Sequence, residues 1–282
     1  MKMRIGWLLQ QHYLDTEDHG DALVSVIKAQ GFTVQIVDWA PGNRTQYAWQ
    51  GEAVDIIGVI GTIGFVRRFH EDFEGPPMYP FFSEEVHRYS HYQHKIPREH
   101  LLNSQGCLLP FAEVARRSVA EMLSLFGGER IFMRPDQALK VCEAQCLEAS
   151  NFSQWLYDSE RYTGLSPVSL LWFFPAQAVG NEYRFVVADQ KIVTGSQYLD
   201  GDDKLAIKKE VPLAARIYAE HVAPMISLDE RVYILDVAEV AGGYKIIELN
   251  AFSTSGMYAG DKAALIHAAS LQLSLIAHEW YD

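Results

Sequence analysis

Hydrophobic and polar positions change period several times along this chain. Val54 to Ile60, apolar apart from Asp55, has the pattern of a strand buried on both faces in a parallel sheet. Arg4 to Leu9 and Phe32 to Val37 read as two further strands. Between them, Asp18 to Gln30 sets Ala22, Leu23, Val26 and Ile27 at helical spacing and stops at Gly31. These elements predict a small open α/β unit. Gly61-Thr62-Ile63-Gly64 follows the third strand, at the carboxyl end where such sheets take ligands, although the GxGxxG spacing of a dinucleotide site is absent. From His70 to His100 the pattern gives way to prolines and aromatics, and the boundary between residues 1–100 and 101–282 is placed there. His87, His91 and His94 share a helical face there, but no carboxylate or cysteine completes a ligand set, which favours a packed or solvated aromatic segment over a metal site.

Beyond the boundary, Glu113 to Phe126 reads as one amphipathic helix with Val114, Val119, Met122 and Phe126 inward, stopped by Gly127-Gly128. Ile131 to Arg134 is a short strand ended by Pro135, and Lys140 follows six residues after Arg134. Val168 to Phe174 is another strand, closed by Pro175. Glu182 to Val187 and Lys191 to Tyr198 flank a turn at Asp189-Gln190, with Glu182 and Arg184 on one face. An arginine on an apolar strand is usually paired with an anion, whether a structural carboxylate or a ligand phosphate. Asp261 caps a final helix that runs to about Trp280.

Tyr233 to Val240 and Tyr244 to Ala251 form the most informative pair of runs, split by Ala241-Gly242-Gly243 in the manner of a hairpin. Asp236, Glu248 and Asn250 interrupt apolar company. With a three-residue loop, Val240 pairs with Tyr244 and Asp236 lies opposite Glu248; a two-residue loop turns Glu248 to the other face. Two facing carboxylates repel, and a divalent cation removes the conflict. Two carboxylates and an amide oxygen are hard donors suited to Mg²⁺, which binds through such residues together with substrate phosphates. The alternative is a surface hairpin whose polar residues face water.

Composition narrows the partners. Hydrophobic residues make up 49% of the 282, enough for a substantial core. Against 24 basic residues stand 36 acidic ones, a net charge of −12, which makes nucleic acid or an anionic membrane a poor partner. No apolar run reaches the length of a membrane span, and the opening MKMRIGWLL is too short for a secretory leader. Cys107, Cys142 and Cys146 are expected as free thiols in a reducing cytoplasm.

The order of these pieces resembles the ATP-grasp proteins, and most of all the clade named for one arginine and two lysines. Asp55 to Arg68, Ile131 to Lys140, Glu182 to Asp202 and Asp236 to Tyr258 carry the resemblance, with Glu248-x-Asn250 its most telling end. The resemblance implies an ATP-grasp fold, α/β in class, behind an N-terminal open α/β domain. It implies that Arg134 and Lys140 face nucleotide phosphates, that Phe173 and Phe174 border the adenine through main chain, and that Glu182 and Arg184 match the family's E-x-R. Arg184 is then assigned to phosphate and, with Asn250, to catalysis, with Glu182 on the ribose or the arginine. Asp236, Glu248 and Asn250 would hold Mg²⁺ against ATP.

The implied reaction is ligation: a substrate carboxylate, on a small molecule or peptide, attacks ATP to give an acyl phosphate that an amine or other nucleophile displaces. A kinase and a non-catalytic nucleotide-binding module remain the alternatives. Arg67, Arg68, Thr254, Ser255 and Tyr258 are candidates for the acceptor pocket. Two departures from the family stand out: Val141 to Ala149 lacks the glycines of a phosphate-covering loop, and the clade's second lysine is either Lys191 or Lys204.

Overall fold

The computed structural model describes residues 3–16, 20–42, 46–201 and 204–281. The chain opens with β1 (Ile5–Gln10), α1 (Gln11–Thr16), α2 (Gly20–Ala29), β2 (Thr33–Val37), β3 (Tyr47–Ala48) and β4 (Ile56–Ile60). Then come α3 (Ile63–Arg68), β5 (Phe73–Glu74) and β6 (Met78–Tyr79). The apolar runs of β1 and β4 are buried along their whole length because they occupy the middle of a parallel sheet ordered β2-β1-β4-β6. The helix read from Asp18 begins in this structure at Gly20, with residues 17–19 outside the described set, and Gly31 after it takes φ +79°, the left-handed stop that glycine adopts without strain.

A short turn of helix, α4 (Tyr89–Tyr92), leads into β7 (Cys107–Pro110), α5 (Phe111–Val114), α6 (Val119–Ser124), β8 (Arg130–Pro135), β9 (Gln145–Glu148), α7 (Phe152–Tyr162) and β10 (Leu170–Pro175). The single helix expected over Glu113 to Phe126 is two. Ser118 and Glu121 form a capping box, each side chain accepting from the other's backbone N–H, and this restarts the helix where a continuous one would have run through. These strands form an antiparallel sheet ordered β7-β10-β8-β9.

The last sheet, ordered β13-β12-β11-β14-β15, is built from β11 (Glu182–Ala188), β12 (Lys191–Leu199), β13 (Leu205–Lys208), β14 (Val232–Val240) and β15 (Gly243–Ala251). α8 (Leu213–Val222) covers one face, where Ala215, Ala219 and Val222 meet Phe185, Val187, Leu235 and Val237. Tyr89, Tyr92, Ile96 and Leu101 join that same core. On the other face Val186, Ala188, Val232 and Ile234 share a core with the N-terminal sheet and with α9 (Lys262–Tyr281). Gly58 lets α9 approach: a Cβ there would stand 2.7 Å from both Leu273 and Trp7. Trp7 Nε1 donates to Ser270 Oγ at 3.1 Å, and Tyr13 donates to the Ser255 carbonyl at 2.8 Å.

At the far end of this junction, Tyr79 of β6 donates to Glu230 (3.3 Å), which also accepts from Arg231 N (2.9 Å). Burial pushes the Glu230 carboxyl from its ordinary 4.5 up to about 7. Below pH 4.5 the group is protonated folded or unfolded, so it contributes no difference. As pH rises to 7 the folded state must ionise it against burial, and stability falls. Glu230→Gln keeps the accepting oxygen without the charge. Chemical denaturation is expected to find this variant about 2–3 kcal/mol more stable than wild type at pH 8, with the gap closing by pH 5.

Candidate active site

The strands β14 and β15 meet through a two-residue turn, with Val240 paired to Gly243 rather than to Tyr244. On that register alone Glu248 would face away from Asp236. A bulge restores the pairing: Val237 opposes Ile246, Asp236 opposes Glu248, and Ile247 is the extra residue between them. The three-residue loop of the sequence reading is therefore replaced by a shorter turn and a bulge further along. Their effects on parity cancel, and the outer residues Ile246 and Leu249 both enter the core.

Asp236 has no exposed surface. Arg184, directly opposite it on β11, donates from Nε and Nη2 to its two oxygens at 2.8 and 2.7 Å. Asn250 Nδ2 donates to the same carboxylate at 2.9 Å and to Glu248 Oε1 at 2.7 Å. Arg134 Nη2 lies 3.0 Å from Glu248 Oε2. Each carboxylate thus has its own arginine, which answers the repulsion between them. Burial raises the Asp236 carboxyl above its ordinary value, with Arg184 pulling the other way; held by two short bonds from a guanidinium, the pair is ionised. Burial would raise Glu248 as well, but Arg134, Asn250 and Lys140 outweigh it and hold that carboxyl below the usual range.

These residues divide into two layers. Arg134, Lys140, Glu248 and Asn250 line a cleft of about 320 Å³ between the two antiparallel sheets, walled also by Phe82, His87, Thr254 and Ser255. Asp236 and Arg184 stand behind it. Arg184 reaches the Gly256 carbonyl (3.3 Å), and its guanidinium lies 5.1 Å from the rings of Tyr198 and Tyr258, which stack on each other. The segment between β8 and β9 closes the cleft with Gln137, Ala138, Lys140, Cys142, Glu143 and Ala144. It has no glycine, and Lys140 itself takes φ +46°.

The sequence model of the ATP-grasp domain, R2K clade family 3, matches residues 64–269. The chain belongs to this family. Its fold is that of ATP-grasp structures. It superposes on D-cycloserine synthetase DcsG with a TM-score of 0.63 at 11% identity, covering 95% of this chain and 99% of that one. D-alanine–D-alanine ligase from Bacillus anthracis gives 0.59 at 11% identity, covering 99% and 100%. The ATP-grasp ligase PsnB, complexed with a precursor peptide and AMPPNP, gives 0.53 at 12% identity, covering 97% and 98%. No curated protein matches the chain by sequence.

Within this ATP-grasp frame the other expected residues are dispersed. Phe173 and Phe174 are core side chains, and their strand β10 is paired on both sides, Phe173 with Cys107 and Met133, so neither lines the cleft. Glu182 accepts from the Tyr198 hydroxyl; the acid that Arg184 grips is Asp236, not Glu182. Arg67 pairs with Glu84, and both it and exposed Arg68 line a separate hollow beyond Phe82. Tyr258, at φ +42°, stacks on Tyr198, and its carbonyl accepts from Lys262 at the start of the last helix. Lys191 is 83% exposed beside Asp189, and neither it nor exposed Lys204 lines the cleft. Among the described residues no group of three His, Cys, Asp or Glu side chains is placed to hold a metal, and no helix is long and apolar enough to cross a membrane.

Of the three histidines that the sequence sets on one helical face without a completed metal-ligand set, His87 lines this cleft. It is 4% exposed, its Nδ1 lies 3.0 Å from the Ser83 carbonyl, and its Nε2 finds no partner. Burial lowers its pKa to about 4, so it is neutral. Only tertiary contact reveals it.

Removing Arg184 leaves a buried, uncompensated carboxylate, so Arg184→Ala is expected to lower stability by about 3–5 kcal/mol in urea denaturation. Glu248→Gln removes the partner of Arg134 at a site with its side chain 25% exposed; its melting temperature is expected to fall slightly rather than rise, because Arg184 already neutralises Asp236.

Proposed function

We propose that this protein is an ATP-dependent ligase joining a carboxylate, on a small molecule or peptide, to an amine or another nucleophile. The observation that carries the reading is the convergence of Arg134 and Lys140 with Glu248 and Asn250 on one cleft of an ATP-grasp fold. Arg134 Nε is buried and has no hydrogen-bond acceptor, an unmet donor of the kind an anionic ligand satisfies. D-alanine–D-alanine ligase and PsnB are ligases by description, and PsnB is described in complex with a precursor peptide and AMPPNP and with a minimal precursor, Mg and ADP; both support a nucleotide-dependent ligation here.

The donors present fit Mg²⁺. Glu248 and the Asn250 amide offer hard oxygen at the cleft wall, and one or two carboxylates together with phosphates are its usual complement. Asp236, with no exposed surface, joins that set only after Asn250 or Arg184 shifts. When bound, Mg²⁺ neutralises phosphate charge and fixes the phosphate chain.

The protein's own groups then position and compensate charge. Arg134 and Lys140 receive phosphate oxygens. As Arg134 turns to phosphate, Glu248 is released from its ion pair. Asn250 bridges Glu248 and Asp236 and keeps both carboxylates in place. Arg184 keeps Asp236 ionised behind them. The substrate carboxylate attacks the γ-phosphorus, the bond to the β-phosphate oxygen breaks, and ADP leaves. The nucleophile then adds to the acyl carbon and expels phosphate. No serine or cysteine nucleophile is required, since orientation and electrostatics lower the barrier.

Phosphorus NMR of the protein with Mg-ATP and pooled cell metabolites is expected to show ADP and free phosphate. Accumulating AMP would overturn the mechanism, and a stable phosphorylated metabolite would make the protein a kinase. Lys140→Met and Glu248→Gln are each expected to reduce turnover by about 10²–10³-fold.

A further inference from the structure

We propose that Asp136 is a positioning residue for Arg134, acting through Tyr89, and thereby sets the affinity of the cleft for phosphate. The proposal rests on the reading of that cleft as a nucleotide phosphate site. Asp136 follows Arg134 and Pro135 at the end of β8, and its side chain is 1% exposed. One carboxylate oxygen accepts from Ser90 N (2.7 Å) and Trp172 Nε1 (2.8 Å), and the other from Ser90 Oγ (2.9 Å). Its main chain is engaged too: Asp136 N donates to the Leu170 carbonyl (3.0 Å), and Asp136 O accepts from Tyr89 N (2.9 Å). A single residue therefore ties together the end of β8, the neighbouring strand β10, and a segment 46 positions earlier in the chain.

That segment carries Tyr89. Hydrogen bonds hold Tyr89 at both ends, its N–H on Asp136 and its hydroxyl on the Asn103 carbonyl. Its ring is braced edge-on by Trp172 and Phe174, each 5.5 Å away. The Arg134 guanidinium lies 4.6 Å from the centre of this ring, the arrangement in which an aromatic face attracts a cation. Asp136 makes no ion pair with Arg134. It compensates none of the charge of Arg134, whose Nη2 meets Glu248 while Nε keeps no acceptor. A second carboxylate placed on Arg134 beside Glu248 would compete further with phosphate. Because Asp136 acts on the aromatic floor instead, the guanidinium keeps its orientation and has a single carboxylate, Glu248, to exchange for the ligand. The sequence-adjacent pair Arg134 and Asp136 thus divides the work, one binding and one fixing the surface on which the other rests.

The test is a double-mutant cycle read by isothermal titration with Mg²⁺ and the non-hydrolysable analogue AMPPNP. Asp136→Ala is expected to raise Kd about tenfold in the wild-type background and to have no further effect in Arg134→Ala, because the two act through one contact. Asp136→Asn keeps an oxygen for Ser90 N and Trp172 and is expected to stay within about threefold of wild type. If Asp136→Ala does not fold, Tyr89→Leu replaces it in the cycle, removing the ring face and leaving the Asp136 bonds. Additive losses, or an unchanged Kd in Asp136→Ala, would overturn the proposal. If wild-type protein binds no nucleotide, the phosphate reading fails and the crystal structure of Asp136→Ala decides the positioning separately: a guanidinium displaced from Tyr89 supports it, and one still in place overturns it.

Discussion

A fully buried carboxylate is the constraint around which this molecule is arranged. Asp236 sits mid-strand in the central sheet without access to water, where an unpaired charge would be far more costly than any single packing contact. Arg184 answers it across the ladder, and Asn250 supplies a third donor. Glu248 is held against Asp236 by the same amide and balanced by Arg134 from the other sheet. With Lys140 added, these five charged side chains carry one more positive than negative charge, and Glu143 on the cleft wall offsets it. In an acidic protein the cleft still brings two cationic side chains, Arg134 and Lys140, to where an anion can reach them.

The supporting structure brings the two layers of charge together. Strands β8 and β10 carry Arg134 and Trp172, and the Asp136 carboxylate fastens both to the turn that holds Tyr89. Beneath the central sheet, α9 shares one core with the N-terminal parallel sheet and is tied to β1 through Trp7 and Ser270, while the wall bearing Thr254 and Ser255 is anchored to α1 through Tyr13. Closure over the cleft comes from the segment after β8, which reaches a tight bend with Lys140 in the left-handed region rather than with glycine. The basic side chain and the bend are one residue.

Much of this was legible in the residues. The parallel strands, the final helix with its Asp261 cap, and the strands carrying Arg134, Arg184, Asp236 and Glu248 all followed from period and punctuation, and Asp261 accepts from the N–H groups of Ala263 and Ala264 as a cap does. The facing of Asp236 and Glu248 was reached by a route the structure replaces, since a two-residue turn and the Ile247 bulge together give the parity that a three-residue loop would have given. A bulge leaves no mark in an apolar, β-branched run, because every residue in it suits a strand. The break between α5 and α6 did leave a mark, Ser118-x-x-Glu121, but the apolar period continues across it and hides the stop.

The sequence by itself determined which elements form and which residue types interrupt them, because backbone propensity and periodicity are local properties. Tertiary structure decided who faces whom. That Arg184 grips Asp236 and not Glu182, that Phe173 and Phe174 are core, that His87 lines the cleft and that Asp136 braces Tyr89 behind it all depend on how the elements pack. A carboxylate or a ring looks the same in a sequence whether it is solvated or sealed, and burial, which sets its charge and its partners, exists only once the sheets have packed.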